Sequence, residues 1–517
     1  MANKGLFASA IARLLPAPDA INHASAPAYA YAPEAKLAQL AATGTLADSF
    51  YATAEQHLIE ALDAARAVDP LFAAKAAIYA RKAGKMKDMP ALLAAHLTVA
   101  DPDLAVAVFG RVIDNGRMLR SFVQIMRSGQ VGRMSLGSRP KRLVKDWLER
   151  ASMRDLMAAA TGNDPSLADI VRMVHPKPAD AARRAFYGWL IGKPYDVAAL
   201  PAEIVAFEAW KRAPEGELPP VPFEWLTAFP LTAQQWAVLS GRIGWQALRM
   251  NLNTLARNGA FNVAGVTDSV AARLADAEAI AKARVLPYQL MVALAQAGES
   301  VPLKVQAALE EALDMSLANV PAVAGRVVVC PDVSGSMHSP VTGYRKGATS
   351  AVRCIDIAAL VAAAMLRRNP SARVMPFEQR VVKLAIDPNA RVAVNAAKLA
   401  AVGGGGTNVS APLAMLNAEG AAVDLVVIVS DNESWVDATR RGATATATMR
   451  EWEQLKRRNP KAKLICVDIQ PHGTTQAASR RDILNVGGFS DAVFDTIARF
   501  AAGETSDWVG LINQMEV

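Results

Sequence analysis

The chain has 517 residues, 52% hydrophobic, 6% aromatic and 20% charged, enough for two or three domains with ample cores and unlike a disordered chain, a collagen-like fibre or a disulfide-stapled miniprotein. Lysine and arginine number 56 against 48 acidic residues, a net charge of +8, which suits nucleic acid without requiring it. Three cysteines, Cys330, Cys354 and Cys466, and six histidines offer neither a disulfide framework nor zinc spacing, so a reducing, cytoplasmic setting is expected.

The first residues, MANKGLFASAIARLLPAPDA, make a poor secretory signal, because Arg13 interrupts the apolar stretch and Pro16 and Pro18 follow. No apolar run reaches the roughly 18 residues that would span a bilayer, so no membrane is expected. From about Glu34 to Met315 alanine- and leucine-rich segments of helical periodicity follow one another, among them ATAEQHLIEALDAARA, LFAAKAAIYARKAG, MPALLAAHLTVA, WQALRMNLNTLARN and VAARLADAEAIAKARV. Breaks fall at Asp69-Pro70, Asp101-Pro102, Gly116, Asn163-Asp164-Pro165 and Pro176 to Pro178. Short helices in series predict an α-solenoid or HEAT-like stack. With no clean sequence period, an irregular all-α domain is the alternative.

Within that half, residues 111–150 hold ten basic side chains against three acidic ones, whereas residues 1–325 as a whole hold 34 against 30. The candidates for contact with phosphates are Arg120, Arg127, Arg133, Arg139, Lys141, Arg142 and Lys145. The glycines and serines of RSGQVGRMSLGSRPKR leave backbone amides free to follow a nucleic acid backbone. A solvated basic loop is the bland alternative. A second candidate is VRMVHPKP, with Arg172, His175 and Lys177 at the end of one helix and the start of the next. There the imidazole could stack on or hydrogen-bond RNA or simply close a helix.

At NVPAVAGR, Asn319 to Arg326, the texture changes, and the β-branched run VVVC begins a new domain. Strands are predicted at 326–331, 372–386, 424–430 and 463–469, with helices at about 350–369, 391–401, 443–458 and 491–502. The stretch 372–386 is read as a hairpin of two strands at the sheet edge. Continuous apolar strands alternating with helices indicate a mostly parallel, doubly wound sheet covered on both faces.

CPDVSGSM places Asp332, Ser334 and Ser336 directly after the first strand, at the carboxyl edge where open α/β sheets bind ligands. The i, i+2, i+4 spacing converges one carboxylate and two hydroxyls. Thr407, in GGGGTNVS, and Asp431, in SDNESW, leave the same edge. Oxygen-only donors of this kind suit a hard cation such as Mg2+. No Walker lysine motif, G-x-S-x-G elbow, HExxH or paired-carboxylate nuclease signature is present, so no enzyme activity is expected.

These motifs make residues 326–517 resemble a von Willebrand factor A domain with a metal-ion-dependent adhesion site. The resemblance implies that Ser334, Ser336 and Thr407 ligate the metal directly or through water. Asp332 and Asp431 would hold its waters, and an open position would capture a carboxylate of a protein partner. The order RSGQVGR…KRLVKDWL, LADIVRMVHPKP, WQALRMNLNTLARNG, ARVLPYQL, DVSGSM, GGGTNVS, SDNES is similar to that of the Ro ribonucleoprotein family, and of its bacterial members in particular. This implies an α plus α/β chain: residues 1–325 a TROVE module of HEAT-like helical repeats, closed into a ring by the A domain at 326–517. It also implies small noncoding Y RNA on the outer basic surface, with His175 among the contacts, and single-stranded 3′ ends of misfolded RNAs in a central hole. A monomer working with polynucleotide phosphorylase or another exoribonuclease is implied as well. AAATGNDPSL lacks the lysines and arginines that animal members carry there, which shifts the expected load to residues 133–145. The rival reading is a metal-dependent protein-interaction module whose helices form a peptide-binding solenoid.

Overall fold

A computed structural model describes residues 15–22, 24–44, 46, 53–283, 285, 287–341, 352–436, 445–470, 473–489, 492–504 and 508–517. Residues 1–14, 350–351, 443–444 and 491, parts of the targeting and helix expectations, lie outside them. The chain forms two compact units. One comprises residues up to Ala67, Ile280–Gln296 and Leu309–Gln514, and the other Val68–Ala279, Ala297–Ala308 and Met515–Val517. These bounds differ from a single division at 325/326, because the N-terminal segment packs with the α/β domain.

In that first unit five parallel strands lie in the spatial order Arg373–Val374, Val327–Pro331, Leu425–Ser430, Lys463–Asp468, Ile483–Gly487. Numbered along the chain this is 2-1-3-4-5, one of the doubly wound orders. Val328, Cys330, Val426, Ile428, Leu464 and Cys466 share one core with Leu413, Leu416, Met449, Trp452 and Leu455 of the helices Ala411–Ala418 and Ala447–Arg458. Alternate strand residues face the other way, and the helix Cys354–Arg368, buried from Cys354 to Leu366 except at Asp356, packs on Val327–Pro331 and on Val392–Ala400.

The expected edge hairpin at 372–386 does not form as two strands. Arg373–Val374 pairs in parallel with Val328 and Val329, and bonds of Met375 and Phe377 to Val329 O and Pro331 O continue the pairing at 2.8 and 3.0 Å. Pro376 sits within the run, where a missing N–H limits further ladder bonding, and only an isolated bridge joins Phe377 to Val381. The fifth strand, Ile483–Gly487, and a hairpin of Ala20–Ile21 with Pro27–Ala30 are additions to the expected elements. The hairpin pairs onward, Tyr29 with Thr475. The helix Pro33–Thr43 packs on the edge strand Ile483–Gly487. There the Gln39 side chain acts as a neighbouring strand would, donating to Asn485 O and accepting from Gly487 N–H, which closes an otherwise open edge.

The second unit is all-α among its described residues. Asp69 and Asp101 cap the helices Pro70–Lys82 and Pro102–Val112, each with proline at the first helical position, so the Asp-Pro breaks seen in the sequence are helix starts. Successive helices pack on one another: Pro70–Lys82 on Asp88–Ala100, the latter on Pro102–Val112 and Gly116–Arg127. The helix Leu167–Val174 rests on both Gly116–Arg127 and Ser138–Arg150. The helical-periodicity segment WQALRMNLNTLARN forms two helices, Trp245–Met250 and Leu252–Arg257. No helix among the described residues is long and apolar enough to cross a membrane.

Candidate functional site

The strand order reverses between Val327–Pro331 and Leu425–Ser430, and the crevice beyond the carboxyl ends of two such strands is the usual ligand site of a doubly wound sheet. Asp332 leaves the first of these strands and Asp431 the second. Asp332 is fully buried; its Oδ1 accepts the Ser334 amide at 2.8 Å and its Oδ2 the Ser430 hydroxyl at 2.5 Å. Ser334 and Ser336 stand with their hydroxyl oxygens 3.4 Å apart, and the Thr407 hydroxyl donates to Ser334 Oγ at 2.9 Å. The structure therefore brings Asp332, Ser334, Ser336 and Thr407 into one cluster, with Asp431 beside it. Asp431 Oδ1 accepts the Glu433 amide at 3.4 Å, while Oδ2 is buried with no hydrogen-bond partner.

Burial and then the charge of Asp431 push the Asp332 carboxyl up to about 7, against the hydrogen bonds from Ser430 and Ser334. Burial likewise raises Asp431, while the Ser336 hydroxyl and the loop amides pull it down. Two buried carboxylates that disfavour each other's ionisation, one with an orphaned oxygen, ringed by three hydroxyls, are the donors a hard cation calls for. The residues present fit the group.

The glycine run makes this close approach possible. A Cβ on Gly403, Gly405 or Gly406 would lie 3.0 Å from His338 Nε2, 1.5 Å from Glu378 Oε2 and 2.5 Å from Trp435 Nε1, respectively, and Gly404 and Gly405 have φ of +107° and +90°. The turn carrying Thr407 is thus threaded between three side chains with no room for its own. Ser430, which bonds both Asp332 and the Asn432 amide at 3.0 Å, was missed in the sequence, although a hydroxyl directly before the second aspartate is a visible signal. The N-terminal hairpin also reaches this loop: Asn22 Nδ2 donates to Ser434 O at 2.8 Å and the Ala24 amide to Glu433 Oε2 at 3.2 Å.

The basic candidates lie in the second unit. The helix Ser138–Arg150 buries Pro140, Leu143, Val144, Trp147 and Leu148 and turns Arg139, Lys141 and Arg142 to solvent, with Lys145 half-buried. Arg127 is exposed at the end of Gly116–Arg127. Arg120 is used differently, its guanidinium donating to Ala159 O at 2.7 Å. Arg133 donates to Thr98 O at 3.1 Å. On the neighbouring helix, exposed Arg172 meets Asp169 at 3.4 Å and Ile191 O at 3.1 Å. His175 closes that helix in a left-handed conformation, φ 52°, its amide bonded to Val171 O at 3.0 Å and its ring at the surface. Lys177 is exposed two residues on. Of the helices that carry these cations, Leu167–Val174 packs against both Gly116–Arg127 and Ser138–Arg150.

Residues 326–501 match the family of the Ro60 von Willebrand factor A domain. Over 93% of its length, and 95% of the other's, the chain is 28% identical to a Deinococcus radiodurans protein named RNA-binding protein RO60. Its fold is similar to the crystal structure of the Deinococcus radiodurans Ro (RSR) protein, with a TM-score of 0.66 at 24% identity, covering 92% of this chain and all of that one. Residues 326–501 are therefore a von Willebrand factor A domain of the Ro60 type, carried in a chain whose likeness to a bacterial Ro protein runs over nearly its whole length.

Proposed function

We propose that this chain is an RNA-binding scaffold and not an enzyme. The observation that carries the reading is the solvent-facing array of Arg139, Lys141 and Arg142, with Arg172 on the adjoining helix and His175 and Lys177 just past its end, in a chain similar to an RNA-binding protein. Exposed cations on rigid helices hold phosphates and release counterions, which gives affinity that falls with salt. The RNAs are a small structured Y RNA on this surface and single-stranded 3′ ends of misfolded RNA in a central hole. The protein works in the cytoplasm as a monomer in RNA quality control, with an exoribonuclease such as polynucleotide phosphorylase as the partner that the family resemblance supports.

The A domain supplies a docking point for protein. Ser334, Ser336 and Thr407, with Asp332 and Asp431, would hold Mg2+, which would supply an open position for a carboxylate of the partner. A metal-dependent protein-interaction module without RNA is the second reading, favoured by how completely this donor set is built. The two part on one experiment. Lys141→Glu with Arg142→Glu, both exposed, are placed in the full chain, and hairpin RNA binding is titrated at several salt concentrations. Loss of affinity and a salt slope shallower by about two are expected for two phosphate contacts removed. Wild-type protein that fails to bind RNA at low salt would leave only the protein-interaction reading.

A further inference from the structure

Two side chains on the rim of the sheet-edge cluster are fixed in place by the fold and left unused by it. Phe377 O accepts the Val333 amide at 2.8 Å and Glu378 O the Asn408 amide at 3.0 Å. The backbone at Glu378 is thereby held between the loop of Ser334 and the turn of Thr407. Its carboxylate lies against Gly405, so closely that no Cβ fits there. The indole of Trp435 lies against the next residue, Gly406, and the Trp435 amide bonds Thr407 O at 3.3 Å. Glu378 and Trp435 thus flank consecutive residues of the turn that ends at Thr407.

Neither side chain is spent on the fold. The Glu378 carboxylate is half-buried, yet among the described residues it accepts no hydrogen bond and joins no ion pair. A charge partly withdrawn from water with nothing to meet it is costly. Arg353, the cation near the same glycine turn, is already taken by Asp356 at 2.8 Å and by His338 Nδ1 at 3.0 Å. Trp435 is 45% exposed, while every other tryptophan is buried or half-buried, and tryptophan is the side chain that most often anchors a protein contact. An unpaired carboxylate and an open indole side by side offer a cation both an ion pair and a π face.

We propose that Glu378 and Trp435 form a subsite for a lysine or arginine side chain, so that the protein segment docking at the cluster carries a basic residue close to its acidic one. The inference rests on the protein-docking reading above and names the partner's chemistry. Charge decides against the alternatives. A wholly acidic segment would set a second carboxylate against Glu378, and an apolar one would cover Glu378 with nothing to pair it.

The probes are three capped peptides of the form X-Ala-Asp-Ala-X, with X arginine, glutamine or glutamate at both ends so that either chain direction is served. Each is titrated calorimetrically into the RNA-free full chain, with saturating Mg2+ and again with EDTA. With Mg2+ the wild type should bind the arginine peptide about fivefold more tightly than the glutamine one, and the glutamate peptide most weakly. Glu378→Gln keeps the packing on Gly405 and should make the arginine and glutamine peptides equal at an unchanged melting temperature. Glu378→Lys should reverse the order, and Trp435→Ala should lower the arginine preference about twofold. EDTA should abolish binding of all three. If the peptides bind with Mg2+ but wild type shows no arginine preference, or Glu378→Gln retains one, the subsite is overturned and the docking reading stands. If no peptide binds, or binding ignores EDTA, the docking reading falls and the subsite with it.

Discussion

Asp332→Asn tests whether the buried cluster at the sheet edge is built around a cation. The carboxylate is fully buried, accepts from Ser334 N and Ser430 Oγ, and stands beside a second buried acid. An acid held near 7 instead of about 3.9 carries a cost of roughly 4 kcal/mol when ionised. Asparagine keeps the shape. Its Oδ1 can take the Ser334 amide and its Nδ2 can donate to Ser430 Oγ, so the loss is two charge-assisted bonds replaced by neutral ones, about 1–2 kcal/mol each. In the absence of metal the substitution should therefore leave the α/β unit as stable as wild type or more stable by about 2 kcal/mol. With Mg2+ the order reverses. A ligand at a hundred times its Kd adds about 2.7 kcal/mol to the protein that binds it, and at about 2–4 °C per kcal/mol for a unit of this size the wild type should gain roughly 5–11 °C while Asp332→Asn gains almost nothing. Calorimetric melts with EDTA and with Mg2+ read both effects. A metal-free Asp332→Asn protein weaker than wild type by more than about 2 kcal/mol, or one with an undiminished Mg2+ response, would refute the reasoning.

His175→Gly should weaken binding of a Y-like hairpin RNA several-fold in a gel shift and leave the melting temperature unchanged or raised by about 1–2 °C, because the exposed ring leaves while glycine relaxes the left-handed φ of 52°. Gly405→Ala should cost about 1–3 kcal/mol in denaturant melts and lower Mg2+ affinity in titration calorimetry, since φ is +90° and the new methyl meets Glu378; adding Glu378→Ala should recover only the part due to contact. Burial would raise the Asp482 carboxyl, but hydrogen bonds from Arg480 and Trp452 and the charges of Arg480 and Lys456 outweigh it and hold it below the usual carboxylate value. A depressed folded-state pKa stabilises fully above the unfolded value near 3.9 and is lost as pH falls through the lower folded one; Asp482→Asn should thus cost about 1–2 kcal/mol at pH 7 by urea melts, with the difference from wild type shrinking below about pH 4.

Legibility followed sequence distance. Asp332, Ser334 and Ser336 lie on one turn, and Thr407 and Asp431 each sit in a loop with its own local mark, a glycine run or a strand end, so the α/β periodicity alone placed all five at one edge. The edge at 372–386 was misread because VMPF and RVVKLAI are apolar enough for two strands, while Pro376 weighs against that and decides the outcome. Ile483–Gly487 was passed over because Asn485 interrupts its apolar run, yet that asparagine is buried and bonded to Ala477 O at 2.8 Å and Thr475 Oγ1 at 3.0 Å. Among the basic residues composition treats Arg120, Arg133 and Lys141 alike. Their roles diverge through where the fold puts each: Arg120, on Gly116–Arg127, donates to Ala159 O, Arg133, in the loop before Ser138–Arg150, donates to Thr98 O, and Lys141 faces the solvent.

What no local pattern could show is that the loop after Asp431 leans on the other end of the chain. Asn22 meets Ser434 across 412 residues, and Gln39 meets Asn485 and Gly487 across nearly 450. Neither side chain belongs to a motif, because a single amide that bonds a backbone needs only to arrive at the right place. Yet both contacts are buried, where an unmet backbone group costs about 1–3 kcal/mol, so residues 15–44 are part of what holds the A domain's edge strand and the loop after Asp431 in place. The fold boundary that texture draws at Arg326 marks where the sheet begins; the boundary that packing draws includes the first strands of the chain. A domain cut at 326 would expose Gly487 N–H, Asn485 O and Ser434 O at once, and the loop carrying Asp431 would lose its support from Asn22 before any of the proposed metal ligands had been touched.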